Sequence, residues 1–447
     1  PIVFLLDRRL SNVDAKNTWL LLASLVFYSF GQVYYLPLLL LSVALNYVCG
    51  RLAAGKYAKL GVTLAVIGGI GLLAVFKYAD FAIRTVNALC GLHLPLTGIA
   101  LPIGISFFTF QGLSYVIDVY REPKMVSHSF KKVLLYIAFF PQLIAGPIIR
   151  YEWVQHDITQ RRFDWAGFSA GSRRFMVGMS MKVLVADSLA PVADAVFAQS
   201  APSLADAWIG CGAYTLQLFF DFAGYSAMAI GIGQMLGFHF PENFNHPYLA
   251  RSIQDFWRRW HLSLSSWIRD YLYIPMGGNR GGTFATYRNL LLTMAIAGLW
   301  HGSDSWNFLL WGLAHGMALC LARAWPQRLP VPPGLSRLLT LLFVMLAWTL
   351  FRAPDMQAAL RMYAGQFGLH GLAMGDTLHA LLRPGHAVAA VVGVVCVILP
   401  AFRPHWETRH AGTRLAAVIA LWPIPAFLLS FALIASRGAV PFLYFQF

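Results

Sequence analysis

Long apolar runs joined by short polar connections make up most of this chain. The runs fall at about 17–33, 35–49, 60–77, 80–92, 100–119, 131–149, 172–199, 206–238, 286–303, 306–323, 336–352, 385–401 and 413–435. A helix needs about 20 apolar residues to cross a bilayer, so several of these are too short to cross alone. The pattern predicts an all-α, polytopic membrane protein with roughly ten transmembrane helices plus partial, re-entrant and interfacial ones. A closed β-barrel would show short alternating segments instead. The runs here are continuous, as at 60–76 and 387–401.

Between 80–92 and 100–119 stands HLPLTGIALPIGIS, whose prolines and glycines suit broken or re-entrant helices packed against protein. The opening PIVFLL is too short to span, and Asp7, Arg8 and Arg9 follow at once. It reads as the tail of a helix whose beginning is missing, and the charge order is not that of a signal peptide. Arg8, Arg9 and Lys16 precede the first clear helix pair, and Arg51, Lys56 and Lys59 follow it. The positive-inside rule puts both groups on the cytoplasmic side. Residues 150–165 and 239–259 are the polar connections. With no repeat, low-complexity tract or separate soluble segment, 1–447 is expected to be a single membrane-embedded domain.

Residues 253–271 carry a helical period. At about 100° per residue, Ile253, Phe256, Trp257, Trp260, Leu264, Trp267, Ile268 and Tyr271 share one stripe, with Arg258 and Arg269 opposite. One amphipathic helix is predicted. It holds too much charge for a simple span and suits an interfacial or partly buried position, with tryptophans at headgroup level.

Composition strengthens the membrane reading. The chain is 58% hydrophobic and its mean hydropathy is +0.60, more apolar surface than a soluble domain can hide. Its net charge of +15 suits cytoplasmic loops facing anionic lipid. No basic block stands apart from the apolar runs, so no nucleic-acid partner is expected. Cys49, Cys90, Cys211, Cys320 and Cys396 are scattered, contain no CxxC pair, and read as small core residues.

Only 12% of residues are charged, yet 254–282 holds four arginines, three tryptophans and His261. Ionisable groups near lipid are costly and mark a working site or a membrane boundary. His261, on the flank of the stripe, reads equally as an interface histidine bonded to a carbonyl. Arg258 and Arg259 can snorkel to lipid phosphates or grip an anionic group of an acyl donor. MGGNRGG at 276–282 permits a tight turn but lacks the strand-turn-helix setting of a phosphate cradle.

His301 follows the apolar run LLLTMAIAGLW and lies between Gly298 and Gly302. Desolvation there favours a neutral imidazole, which can serve as a general base or simply be a buried structural residue. The flanking glycines allow another backbone or a substrate to approach closely. Ser303, Asp304 and Ser305 offer N-caps for the next helix, and Asp304 can instead orient an imidazole. His315 is the weaker candidate, suited to helix packing. Asp118, Asp187, Asp194 and Asp221 lie in or beside apolar runs. Buried carboxylates can form a transporter's proton relay, or they can pair with arginines or cap helices. No GxSxG, HExxH or paired carboxylate cluster is present, so neither a serine hydrolase nor a metal site is indicated.

Several stretches together resemble the membrane-bound O-acyltransferase family, especially its bacterial alginate-acetylating branch. They are PIGISFFTFQGLSYVIDVYR (102–121), FFPQLIAGPIIRY (139–151), QLFFDFAGYSAMAIGIGQMLGF (217–238), 242–280, GLWHG (298–302) and WTLFRA (348–353). The resemblance implies a multi-helix enzyme around a central tunnel that moves acyl groups to hydroxyls. It assigns His301 the catalytic role and His261 a supporting one. Trp257, Trp260 and Trp300 are expected to wall the reaction path, and Arg258 and Asn245 to contact substrate. It further implies a cytoplasmic acetyl thioester donor such as acetyl-CoA, with no tightly bound cofactor. An extracytoplasmic acetyltransferase partner, an exopolysaccharide such as alginate and the bacterial inner membrane complete the expectation. D-alanyl transfer from a carrier protein is the nearest alternative, and a proton-coupled transporter the alternative of another class.

Overall fold

The computed structural model describes residues 2–144, 146–302, 305–326, 331–401, 421–438 and 440–443. Among these residues the regular structure is helical, with no strand. Among the described residues, six segments are long and apolar enough to cross a membrane: Val13–Ala53, Ala58–Cys90, Trp165–Phe197, Leu204–Met235, Pro333–Arg352 and Pro384–Ala401. Their outward faces are apolar. Ile67 is 63% exposed and Val391 62% exposed, as expected for side chains that meet lipid.

The chain divides into two compact units, 1–175 with 228–242, and 176–227 with 243–447. In the first, helix Leu36–Ala53 packs on Ala58–Leu73 and Ile105–Arg121. Small residues set these contacts, as is usual where lipid supplies no hydrophobic drive between helices. A Cβ on Gly61 would lie 2.6 Å from the Cys49 carbonyl oxygen, and one on Gly50 would lie 2.6 Å from the Tyr115 ring. HLPLTGIALPIGIS forms neither a broken nor a re-entrant helix over most of its length. Residues 92–102 are irregular and largely exposed. Asp80 binds the amides of Thr97 and Gly98 at 2.7 and 3.3 Å, replacing the helical bonds that Pro95 and Pro102 interrupt. The opening residues form helix Ile2–Arg9, with Asp7 buried beside Arg161 at 3.5 Å.

The second unit carries the candidate site. Its helices Gly282–His301 and Asn307–Ala324 cross at Gly298 and Gly312. A methyl on Gly298 would overlap the Phe308 carbonyl oxygen, and one on Gly312 would overlap that of Met294. Gly302 is covered by the Phe308 ring. Gly298 and Gly302 form one GxxxG pattern, and Gly312 and Gly316 another, each with a histidine before its second glycine. Backbones therefore approach as far as atoms allow. Nearby, Asn307 Nδ2 donates to the Ala353 carbonyl at 3.0 Å and fixes the end of helix Pro333–Arg352. Ser305 Oγ accepts from the Asn307 amide at 3.1 Å, the capping role expected there. Ser303 and Asp304 lie outside the described residues.

The apolar-run aspartates are bound to cations. Lys182 Nζ sits between Asp187 and Asp221, 2.9 Å from the latter, and Asp221 also accepts from the Leu443 amide at 2.8 Å. Arg352 meets Asp194 at 2.5 Å, and Arg121 lies 3.9 Å from Asp118. All five cysteines are free. Cys49 and Cys211 are core residues as expected, but Cys90 and Cys396 are exposed on their helices.

Gly298→Val should destabilise the protein by about 1–3 kcal/mol through overpacking, whereas Gly212→Ala, with open space around it, should cost nothing. Thermal unfolding of full-length variants in detergent checks this; equal midpoints would contradict the close crossing.

Candidate active site

The amphipathic segment 253–271 is not one helix. It breaks into Ile253–Trp257 and Leu262–Ile268, followed by a wider turn at Arg269–Tyr273. His261 stands at the break in the left-handed conformation, φ 44°. The sequence period survives the break because Phe256, Trp260, Leu264, Trp267, Ile268 and Tyr271 remain buried. What it hides is the hydrogen-bond donor problem of the new helix start. Asn243 solves that problem from a distance. Its carbonyl accepts the Leu262 amide at 2.9 Å, and its Oδ1 accepts the Ser263 amide at 3.2 Å.

His261 is buried, 1% exposed. Its Nδ1 lies 3.1 Å from Asn243 Oδ1, and its Nε2 has no hydrogen-bond partner. The residue lies outside the helices long enough to cross a membrane. Burial pushes its imidazole down to about 3, which leaves the ring neutral near pH 7. Phe222 meets the ring edge-on with centroids 4.6 Å apart.

His301 ends helix Gly282–His301 and is also buried, 7% exposed. Trp311 and Phe351 pack edge-on against its ring at 5.2 and 5.1 Å. Both histidines face one narrow cleft, lined by Leu218, Phe222, Trp260, His261, His301, Trp311, Trp348 and Phe351. Its walls are aromatic apart from Leu218 and the two imidazoles. Such a lining is apolar apart from two imidazoles, groups that can take or give a proton.

The other expected contact residues divide between the cleft and its surroundings. Trp260 is part of the cleft wall. Trp257 packs on Trp311, and its indole N–H donates to His315 Nδ1 at 3.3 Å. Trp300 flanks His301 with ring centroids 4.9 Å apart. Arg258 is exposed. Asn245 is exposed as well, and its backbone holds Arg259 through bonds of 2.9 and 3.3 Å. Arg259 is paired with Asp255 at 2.7 Å, a bond that helps hold the Asp255 carboxyl below its ordinary range despite partial burial. His315 is fully buried among Trp257, Trp311 and Phe343, the packing position expected for it. Sequence reasoning missed Asn243, Ser226 and Ser263, which surround His261 Nδ1 or its amide partner. The run ENFNHPY offers two asparagines, and nothing in the chain distinguishes them before the backbone break is known.

Fold and site describe a helical membrane protein with two imidazoles on one aromatic cleft. The family model of membrane-bound O-acyltransferases (MBOAT) matches residues 109–355. The chain is 40% identical to a "Probable alginate O-acetylase AlgI" of Azotobacter vinelandii, over 98% of this chain and 96% of that protein. The Pseudomonas aeruginosa protein of the same description is 45% identical over 82% of this chain and 72% of its own. A "Peptidoglycan O-acetyltransferase" of Helicobacter pylori is 38% identical over 83% of this chain and 77% of its own length. The chain belongs to the membrane-bound O-acyltransferase family and is an O-acyltransferase.

Trp257→Phe should leave the buried His315 acceptor unsatisfied and lower stability by about 1–3 kcal/mol. Unfolding of the full-length variant in detergent measures it; an unchanged midpoint would show that this bond contributes nothing.

Proposed function

We propose that the protein transfers acetyl groups from a cytoplasmic acetyl thioester, such as acetyl-CoA, toward hydroxyls of an exopolysaccharide such as alginate. It acts in a bacterial inner membrane, and an extracytoplasmic acetyltransferase completes the transfer. The observation that carries this reading is the placement of His261 and His301 on one aromatic cleft in a chain of this family. The alginate O-acetylase relatives, aligned over most of the chain, support the acetyl group and the polymer class.

In this mechanism His301 takes the proton of the acceptor hydroxyl as its oxygen attacks the thioester carbonyl. The new C–O bond forms, the C–S bond breaks, and the proton passes from the imidazolium to the departing thiolate. The ring is returned neutral. Trp311 and Phe351 hold the imidazole edge-on, so it does not have to be ordered during the reaction. Trp260 and Trp348 line the cleft with apolar rings, which disfavours the water that would otherwise compete for the acyl group. His261 supports the acceptor from the same lining.

Cells carrying wild type, His301→Ala or His261→Ala at matched membrane levels provide the test, read as ester-linked acetate on exopolysaccharide and, separately, on peptidoglycan. His301→Ala should lower exopolysaccharide acetate by at least about 100-fold, the scale of a lost general base. Unchanged acetylation in that variant would overturn the mechanism. Loss confined to peptidoglycan would overturn the choice of polymer.

A further inference from the structure

The hydrogen bonds around Asn243 determine which nitrogen of His261 carries its proton. A backbone amide can only donate, so the Ser263 N–H at 3.2 Å makes Asn243 Oδ1 an acceptor. The other end of the amide agrees, because Nδ2 donates to Ser226 Oγ at 3.0 Å. Ser263 Oγ donates to the same Oδ1 at 2.9 Å. His261 Nδ1 lies 3.1 Å from that oxygen. Ser263 Oγ also lies 3.4 Å from Nδ1, but its one hydrogen goes to Oδ1, and two acceptors do not share a hydrogen bond, so Nδ1 is the protonated nitrogen. In the neutral ring Nε2 then carries only a lone pair. That nitrogen is buried with no protein partner, on a side chain that lines the cleft shared with His301.

We infer that Asn243 is a positioning residue that locks His261 as the Nδ1–H tautomer, so that His261 presents a hydrogen-bond acceptor to the acyl-acceptor hydroxyl. This gives His261 a defined part. It holds the hydroxyl by its hydrogen and turns the oxygen toward the acyl carbon. It does not donate to the oxyanion that develops on the thioester carbonyl. His315 shows the opposite arrangement nearby. Its Nδ1 accepts from Trp257, so its proton sits on Nε2, and it does not line the cleft.

The assignment of a catalytic part to His261 rests on the proposed acetyl transfer, but the tautomer does not. Nitrogen NMR of the full-length protein in lipid bilayers, with isotope-labelled histidine, separates the two. The signal pair that vanishes in His261→Gln should show a protonated Nδ1 and a bare Nε2 in the wild type. In Asn243→Leu that pair should shift to the Nε2–H form, and acetyl transfer should fall by about 10- to 100-fold, as when a residue that orients a histidine is lost. Asn243→Asp keeps an acceptor oxygen and should retain both the Nδ1–H form and most of the transfer. A wild-type pair protonated on Nε2 would overturn the inference, even if Asn243→Leu failed to fold. So would an Asn243→Leu protein that keeps the Nδ1–H form and full transfer. If His261→Ala and His301→Ala both transfer acetyl normally while the tautomer is as stated, the catalytic reading fails and the positioning of the ring stands.

Discussion

The crossing of two helices at Gly298 and Gly312 is the constraint on which this site depends. Lipid offers no hydrophobic gain for helix association, so helices must win contact through close packing. Here the backbones meet without intervening side chains. That contact fixes the end of one helix, where His301 stands, against the start of the next, where Phe308 and Trp311 project. The rings around His301 can then be large, because the space beneath them has been removed. Asn307 carries the same order across to Ala353, at the end of the helix that supplies Trp348 and Phe351.

The second imidazole is placed by a different device. A helix start exposes amide donors that need acceptors. At Leu262 and Ser263 those acceptors come from Asn243, which lies outside the helix. The same side chain holds His261 Nδ1. Backbone satisfaction and ring orientation are thus one network, and a buried network of this kind is rigid only when every member is paired. The single ring atom left over is Nε2. The arginines of 254–282 either face outward, as Arg258 and Arg269 do, or are paired, as Arg259 is with Asp255.

Much of this was legible in the chain. Continuous apolar runs fixed the helical class, because their length and uniformity leave no other spanning solution for backbone groups. GLWHG pointed to His301 for a physical reason that the fold supports: glycine beside histidine allowed a backbone to approach, and that backbone is Phe308–Gly312. The stripe from Ile253 to Tyr271 marked residues that are mostly buried and set the exposed Arg258 and Arg269 opposite, but it missed the buried Ser263. It could not reveal the break at His261, since a left-handed residue and a continuing helix leave nearly the same polar–apolar string. Asn243 was invisible for a related reason. Its importance comes from contacts made 18 to 20 positions away, which no local period encodes. Residues 92–102 misled in the opposite direction, because Pro and Gly in an apolar setting do not say whether the backbone bonds to itself or to a side chain such as Asp80.

The positive φ at position 261 also narrows the vocabulary open to this site. Side chains that occupy the left-handed region readily are few: glycine above all, then asparagine, aspartate and histidine. Glycine brings no functional group, asparagine no basic nitrogen, and aspartate a charge that an aromatic cavity would resist. Imidazole alone among them combines tolerance of that backbone with a neutral, basic nitrogen. The bend in the chain is therefore a chemical filter as well as a shape, and any redesign of this position that begins from the side chain has to begin from the turn.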